Sequence, residues 1–166
     1  MELPALPLVL GFVIGQRLTE LWLANRNTRQ LKAIGGIEHG ARHYPLFILL
    51  HASWLAALIF LVPMETPPNM ALLAVYLLLQ FGRVWVIASL GRFWTTRIIT
   101  VPGAPLIAKG PFKWVRHPNY LVVAAEIAVL PLAFGAWEIA AIFSLANAAL
   151  VLHRIRIEDA VLEDRR

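Results

Sequence analysis

Five apolar runs constrain this chain more than any other feature of its sequence. They cover residues 3–24, 44–63, 69–90, 118–134 and 137–152. A helix needs about 20 apolar residues to cross a bilayer. The composition, 59% hydrophobic and 15% charged residues with a mean hydropathy of +0.67, lies outside the soluble range. The sequence therefore predicts an all-α integral membrane protein, a single domain over residues 1–166 built as a five-span helical bundle.

The first apolar run is predicted to be a retained span rather than a cleaved secretion signal. Glu2 precedes it, no basic segment comes before it, and no clear small-residue cleavage site follows it. A signal peptide normally has a basic segment before its apolar run and a small-residue cleavage site after it.

The last two runs are short and are separated only by Gly135 and Ala136. Their spacing predicts a tight C-terminal helical hairpin that is tilted or crosses only part of the bilayer, and a re-entrant pair is the alternative. Pro131 lies near the tip, where neighbouring helices can satisfy the carbonyl that it frees.

The positive charges predict the orientation in the membrane. Lys and Arg residues cluster in 17–42, 83–116 and 154–166, whereas the opposite side would carry only Glu2, Glu65 and Glu138. The positive-inside rule then places the N-terminus outside and the C-terminus in the cytoplasm. The net charge of +5 is thus a topology signal, and no nucleic-acid partner is predicted.

The longest loop, residues 91–117, is predicted to lie over the cytoplasmic mouth of the bundle. It contains the β-branched stretch "TTRIITV", a "PGAP" turn and "LIAKG", which together favour a short β-hairpin. A simple connector is the alternative, but long loops in compact proteins tend to be functional.

A polar stripe is predicted on the last helix. Asn147, Val151, Arg154 and Glu158 recur at helical spacing and share one face. Arg154 and Glu158 are also four residues apart, so an ordinary surface ion pair at a helix end is the alternative reading.

Glu126 lies inside the fourth run, where an ionisable group is costly unless it is paired or lines a wet cavity. Asn119 precedes it by two helical turns on the same face. We predict from this burial cost that Glu126 contacts a substrate head group or acts as a base. The alternative is a structural carboxylate that is protonated or paired with Arg83.

Other polar residues are interpreted as structural. Gln16, Arg17 and Glu20 near the end of the first run are taken as an interfacial cluster, and His51 as a satisfied histidine. No metal site is predicted, since His39 and His43, which are four residues apart, have no third ligand in sight. The absence of cysteine excludes disulfides and thiolate chemistry. No hydrolytic triad, Walker A motif or Rossmann fingerprint is present.

Two motifs at a hairpin's distance carry a family resemblance: "GPFKWVRHPNYL" and "RIRIEDAVL". They resemble the isoprenylcysteine carboxyl methyltransferase family of integral membrane enzymes and, more distantly, the phospholipid N-methyltransferases. The matching positions are Gly110, Pro111, Phe112, Arg116, His117, Pro118, Tyr120, Arg154, Glu158, Asp159 and Leu162.

The resemblance implies a methyltransferase that uses S-adenosyl-L-methionine, with residues 91–162 as the cofactor-binding and catalytic part. The acceptor would be a carboxylate or hydroxyl oxygen of a lipophilic small molecule that enters from the lipid bilayer. Arg154 and Glu158 would lie at the reaction centre. The resemblance places the cofactor against Lys109, Gly110, Pro111, Phe112, Arg116, His117, Pro118, Tyr120 and Glu158.

The chain departs from the family at its C-terminus, because the aromatic-rich tail that many members carry is missing, which predicts that one wall of the cofactor pocket is open or supplied by a neighbour. The small five-span form looks prokaryote-like, which implies a prokaryotic inner (plasma) membrane and favours a small amphiphile such as a polyketide-derived alkylpyrone over a prenylated protein. The alternatives are an NADPH-dependent membrane sterol-type reductase, which shares a similar "RHPNY" stretch, and a non-enzymatic lipid-binding membrane protein. No oligomeric state is predicted.

Overall fold

A computed structural model describes residues 4–163 of the chain. Its helices are α1 (Ala5–Ala33), α2 (Tyr44–Leu61), α3 (Met70–Leu90), α4 (Pro118–Ala133) and α5 (Trp137–Leu162). Strand β1 (Ile37–His39) lies between α1 and α2, and strand β2 (Ile98–Thr100) lies between α3 and α4. Short 3₁₀ turns cover Ala41–His43, Gly91–Phe93 and Gly110–Lys113. Glu2, the start of the first predicted run and the basic residues after 163 lie outside the described residues.

Four of the described helical segments are long and apolar enough to cross a membrane, namely Ala5–Ala33, Ala41–Leu61, Met70–Phe93 and Trp137–Leu162. Helix α4 is apolar but has 16 residues, which at 1.5 Å per residue is about 24 Å against a hydrocarbon core of about 30 Å. The prediction of an all-α membrane protein is confirmed. The length of α4 suits the tilted or partial crossing predicted for the hairpin.

Two helices are longer than the apolar runs that predicted them. Helix α1 continues past Ala24 to Ala33, and α5 continues past Leu152 to Leu162. The added turns contain Arg, Leu and Ala, which favour helix in water as well. The extension of α5 agrees with the predicted polar stripe, which placed Arg154 and Glu158 on the last helix beyond its apolar run.

The two strands pair with each other across the two long connections. They are antiparallel, with Ile37 opposite Thr100 and His39 opposite Ile98, and the His39 ring hydrogen-bonds the Thr100 hydroxyl at 2.9 Å. The prediction that "TTRIITV" pairs with "LIAKG" was therefore wrong, because the strand in "TTRIITV" pairs with β1 instead. Pro105, which lies directly before the second stretch, has no backbone donor for a ladder, whereas the α1–α2 connection supplies an extended segment.

An ion-pair clamp holds this small sheet to α1. Glu38 of β1 accepts from Lys32 at the end of α1 and from Arg97 next to β2, each at 2.5 Å. Desolvation alone would raise the pKa of Glu38, but the two hydrogen bonds and charges outweigh it and hold the pKa below its usual value. Glu38 therefore stays ionised at neutral pH and joins the two connections.

The main apolar core lies at the end of the bundle that holds the α4–α5 turn. Gly135 has a positive φ of 70° in this turn, and the backbone N–H of Asn69 reaches the carbonyl of Ala133 at 2.7 Å. Asn69 also caps α3 through its side chain. The core side chains come from α1, α2, α3, α4 and α5 and include Leu6, Leu10, Val13, Trp54, Leu58, Tyr76, Ile127, Leu130 and Ile139.

The other end of the bundle is held by four charged groups, which we call the charge tetrad: Arg17 and Glu20 of α1, Arg83 of α3 and Glu126 of α4. Glu126 accepts from Arg17 at 2.6 Å and from Arg83 at 2.9 Å. Glu20 accepts from Arg83 at 2.5 Å and from Arg17 at 3.2 Å. Gln80 adds a bond of 3.0 Å to Glu126. The two positive and two negative charges compensate each other within one buried cluster.

The tetrad corrects one interpretation of the sequence. Arg17 and Glu20 do not form an interfacial cluster, because Glu20 is buried and Arg17 reaches across to α4. Glu126 is paired with Arg83, as the structural alternative predicted. Ionic groups at this depth tolerate burial only when each has a partner, so α1, α3 and α4 are fixed relative to each other.

Replacing Arg83 by Met is expected to leave Glu20 and Glu126 without one of their cations. Removing one member of a buried ionic cluster costs about 3–5 kcal/mol. The Tm of the purified protein in detergent should fall clearly for Arg83→Met. It should stay near the wild-type value for Arg29→Met, which removes an exposed arginine from α1. Equal Tm values for the two variants would contradict the structural role of the tetrad.

Candidate functional site

A cavity of about 660 Å³ lies on the tetrad side of the bundle and is lined by all five α-helices and by residues 93–108 of the α3–α4 connection. Arg17, Glu20 and Arg83 of the tetrad form part of its wall. One region of the lining is charged and aromatic, and another is apolar. This division allows one ligand with a polar head and an apolar body, or two ligands that meet where the regions join.

The polar region is built from the start of α4 and the end of α5. Pro118 occupies the first helical position of α4, where its fixed φ and missing N–H favour helix initiation. His117 and Tyr120 therefore lie one turn apart, with their rings stacked at a centroid distance of 5.4 Å. Arg154 and Glu158 lie one turn apart on α5 and line the same cavity as His117 and Tyr120.

The Tyr120 hydroxyl connects Arg154 to Glu158. It accepts from the Arg154 Nε at 2.8 Å and donates to the Glu158 Oε2 in a short hydrogen bond. Arg154 is only 7% exposed, so the surface ion pair considered from the sequence does not describe it. Within the predicted polar stripe, Arg154 is buried, and its orientation depends on Tyr120 of another helix.

A third contact completes the placement of the Arg154 guanidinium. Its Nη2 donates to the carbonyl oxygen of Thr96 at 2.9 Å, and its carbon lies 5.2 Å from the centre of the Phe47 ring. The Nη1 has no hydrogen-bond partner among residues 4–163. A guanidinium held through two nitrogens presents the third to an anionic ligand in the cavity.

Two carboxylates surround His117. Its Nε2 lies 3.3 Å from the Asp159 Oδ1, and its Nδ1 lies 3.8 Å from the Glu158 Oε2. Together with the face of Tyr120, these groups form an anionic and aromatic patch beside the buried cation of Arg154. Such a patch favours a ligand that carries positive charge.

The apolar region of the cavity lies between α1 and α2. Ile14, Leu18 and Leu21 line it from α1, and Ile48 and Leu55 line it from α2. Leu18 and Ile48 are also exposed on the outer surface, by 62% and 49%. The cavity therefore borders the lipid-facing side of the bundle along this gap.

The structure brings most of the predicted site residues together. Among those predicted to bind cofactor or to react, the cavity wall includes Phe112, Arg116, His117, Pro118, Tyr120, Arg154 and Glu158. Lys109 is exposed, and Lys109, Gly110 and Pro111 are not part of the wall. Gly110 has a φ of 59°, and a Cβ there would lie 2.1 Å from the Ser89 hydroxyl. The glycine thus permits close packing of the loop on α3.

Glu126 is placed differently from the other predicted catalytic residues. It is 0% exposed, does not line the cavity, and has Gln80, Arg17 and Arg83 as its donors. Its contact with the cavity is indirect, because Arg17 and Arg83 lie between it and the cavity.

Several lining residues were missed from the sequence. Tyr44, Phe47 and His51 form a stripe on α2 at spacings of three and four residues, and all three line the cavity. That spacing in an otherwise uniformly apolar helix was the available signal. The Nδ1 of His51 donates to the Phe47 carbonyl at 2.8 Å, which supports its interpretation as a satisfied histidine on that side of the ring.

Among residues 4–163, no group of three or more His, Asp or Glu side chains could hold a metal ion.

Comparisons with known proteins match the part of the chain that builds this site. The pattern of the isoprenylcysteine carboxyl methyltransferase (ICMT) family matches residues 71–164. The uncharacterized protein YpbQ of Bacillus subtilis (strain 168) is 40% identical over 161 residues, covering 95% of this chain and 96% of the relative. An uncharacterized protein of Haemophilus influenzae is 29% identical over 117 residues, covering 66% of each chain. No solved structure matches the chain significantly.

Replacing Tyr120 by Phe is expected to lower stability, because the Arg154 Nε loses its acceptor while it remains buried. A buried donor left without a partner costs about 1–3 kcal/mol. Tyr76→Phe is the matched control, since the buried Tyr76 hydroxyl has no hydrogen-bond partner in the described part of the chain. Chemical unfolding in detergent should show the loss for Tyr120→Phe alone, and equal losses in both variants would contradict the bridge.

Proposed function

We propose that this chain, which belongs to the isoprenylcysteine carboxyl methyltransferase (ICMT) family, transfers a methyl group from S-adenosyl-L-methionine to an oxygen atom of a lipophilic small molecule. The family implies a membrane methyltransferase. One observation carries the finer proposal: Arg154 is held by Tyr120 and Thr96, its Nη1 has no hydrogen-bond partner among residues 4–163, and it lies in a cavity that joins a charged region to an apolar gap between two membrane helices.

The charged region suits the proposed cofactor. S-adenosyl-L-methionine supplies an electrophilic methyl group on a positively charged sulfur when it is bound. The carboxylate of Glu158 and the stacked faces of His117 and Tyr120 provide the negative charge and aromatic surface that such a cation requires. Phe112 and Arg116 extend the same wall. We propose that these residues hold the cofactor and that Lys109, Gly110 and Pro111 support the loop behind them.

Arg154 is proposed to bind the acceptor oxygen. An oxygen that attacks a methyl group must carry a lone pair and is most reactive as an anion, so a cation that holds the anion in place raises the local concentration of the reactive form. The contacts of Arg154 with the Tyr120 hydroxyl and the Thr96 carbonyl fix the plane of the guanidinium. Glu158 is proposed to orient Arg154 through Tyr120 and to face the cofactor.

The acceptor is proposed to enter from the bilayer between α1 and α2. The apolar wall formed by Leu18, Leu21, Ile48 and Leu55 would take its hydrocarbon part. Its oxygen would then lie toward Arg154. A carboxylate or an acidic hydroxyl on a small amphiphile fits this arrangement.

Glu126 is proposed to act through other residues rather than on the substrate. It is fully buried, and its two cationic partners, Arg17 and Arg83, line the cavity. The carboxylate would then hold these two arginines in place as part of the cavity wall. This role differs from the base or head-group contact predicted from burial cost alone.

The orientation in the membrane is likewise proposed from the charges. The basic segments 17–42 and 83–116 meet at one end of the bundle, where β1 pairs with β2. We place this end in the cytoplasm and the α4–α5 turn on the opposite side, with the N-terminus outside and α4 as a fifth, tilted or partial span. The bacterial relatives support a prokaryotic inner membrane.

Calorimetric titration is expected to show saturable binding of S-adenosyl-L-methionine to the detergent-purified protein and no binding of NADPH. His117→Ala and Glu158→Ala remove groups from the proposed cofactor wall and should each weaken binding at least tenfold, about 1.4 kcal/mol. Their matched controls are Lys113→Ala and Glu163→Ala, which remove exposed charges from the same loop and from the residue directly after the same helix.

Binding of NADPH alone would contradict the proposal and favour a reductase. If folded protein binds neither compound, the non-enzymatic lipid-binding reading replaces it. The control variants should retain the wild-type affinity, because their side chains lie outside the cavity wall.

The pH dependence of methyl transfer is expected to identify the reactive oxygen. With dodecanoic acid as acceptor the rate should be flat above about pH 6, since a carboxyl of pKa near 4 is already ionised. With 4-dodecylphenol it should rise about tenfold per unit of pH, since a phenol has a pKa near 10. Arg154→Lys should slow transfer to both acceptors at least tenfold, because an ammonium lacks the planar fork.

Arg156→Lys is the control for this substitution, since Arg156 is an exposed arginine of the same helix. Methyl transfer that is unaffected by Arg154→Lys would contradict the proposed role of Arg154.

A further inference from the structure

We infer that Tyr44, at the start of α2, is a positioning residue for Arg154 and acts through Thr96. The start of α2 thereby supports the proposed reaction centre, although it lies outside the region that matches the family pattern. This inference rests on the proposed function of Arg154.

Thr96 contacts both residues at once. Its backbone carbonyl accepts from the Arg154 Nη2 at 2.9 Å, and its hydroxyl shares a hydrogen bond of 2.9 Å with the Tyr44 hydroxyl. A displacement of Thr96 would therefore change the position of the Arg154 guanidinium. Tyr44 is the side chain on α2 that holds Thr96 in the position from which its carbonyl accepts from Arg154.

Arg97 fixes Tyr44 from a second direction. Its guanidinium lies 4.2 Å from the centre of the Tyr44 ring, within the range of a favourable cation–π contact. The same guanidinium donates to Glu38 of β1 at 2.5 Å, and Glu38 is bound in turn by Lys32 of α1. A continuous set of contacts thus runs from the end of α1 through the small sheet to Tyr44.

Arg154 depends on this support because one of its two hydrogen-bond partners belongs to a loop. Of the Arg154 nitrogens, Nε is held by a side chain of α4 and Nη2 by the backbone of a loop. A loop carbonyl is less rigid than one within a helix unless other contacts fix it. Misplacing a group that binds the reacting oxygen by about 1 Å can cost two orders of magnitude in rate. Tyr44 and the β1–β2 pairing supply the missing rigidity.

Tyr44→Phe is the most direct test, because it removes the hydroxyl and keeps the ring beneath Arg97. Methyl transfer to dodecanoic acid should show a kcat lowered about 3- to 10-fold, the loss expected for one hydrogen bond. The KM for S-adenosyl-L-methionine should stay unchanged, since Tyr44 is not among the residues proposed to hold the cofactor. Ser53→Ala removes a hydroxyl from the same helix that donates, within the described part of the chain, to the carbonyls of Leu49 and Leu50 alone. It should leave both parameters at wild-type values.

A double-mutant cycle separates positioning from a general loss of structure. Thr96→Val removes the partner hydroxyl, so Tyr44→Phe and the double variant with Thr96→Val should lower kcat by the same factor. Additive effects of the two substitutions would overturn the inference.

A second measurement does not depend on the acceptor. The ¹⁵N NMR signal of the Arg154 Nε–H can be assigned as the one lost in Arg154→Lys, and its hydrogen exchange should become at least threefold faster in Tyr44→Phe but not in Ser53→Ala. Unchanged exchange in Tyr44→Phe would overturn the inference. Absence of methyl transfer in the wild-type protein would instead contradict the proposed function, so the two failures are distinguishable.

Discussion

The compensation of four charges inside a membrane bundle is the constraint on which the rest of this structure depends. Arg17, Glu20, Arg83 and Glu126 can be buried only together, since an isolated charge at this depth is prohibitively costly. Their pairing requires α1, α3 and α4 to meet at one level. Because α4 is fixed there, the side chains at its start, including Tyr120, have a defined position relative to α5.

The proposed reaction centre uses this fixed frame to join elements that are far apart in sequence. Arg154 of α5 is held by Tyr120 of α4 and by the backbone of the α3–α4 connection at Thr96, while Tyr44 of α2 holds that connection. The apolar gap between α1 and α2 lies beside this cluster. A water-soluble cofactor and a lipid-soluble acceptor could thus approach from different sides and meet at one guanidinium.

The sequence predicted what local patterns encode. Apolar length gave the membrane helices, the Gly135 spacing gave the hairpin, and the motifs around His117 and Arg154 identified residues that the structure brings together. The partner of β2 was wrong, and the extension of α1 past Ala24 and the pairing of Arg17 with Glu126 were missed. Strand pairing and ionic partners depend on which distant segments meet, and hydropathy does not record this; a charge inside an apolar run indicates only that some partner exists.

The most direct measurement is an experimental structure of the protein with bound S-adenosylhomocysteine, the product form of the proposed cofactor. We expect its homocysteine carbons and sulfur to lie in the cavity beside His117, Tyr120 and Glu158, with the sulfur facing the Arg154 Nη1 and the apolar gap left open toward the bilayer. A ligand bound outside this cavity, or a cavity that remains empty at saturating ligand concentration, would contradict the assignment of this site to methyl transfer.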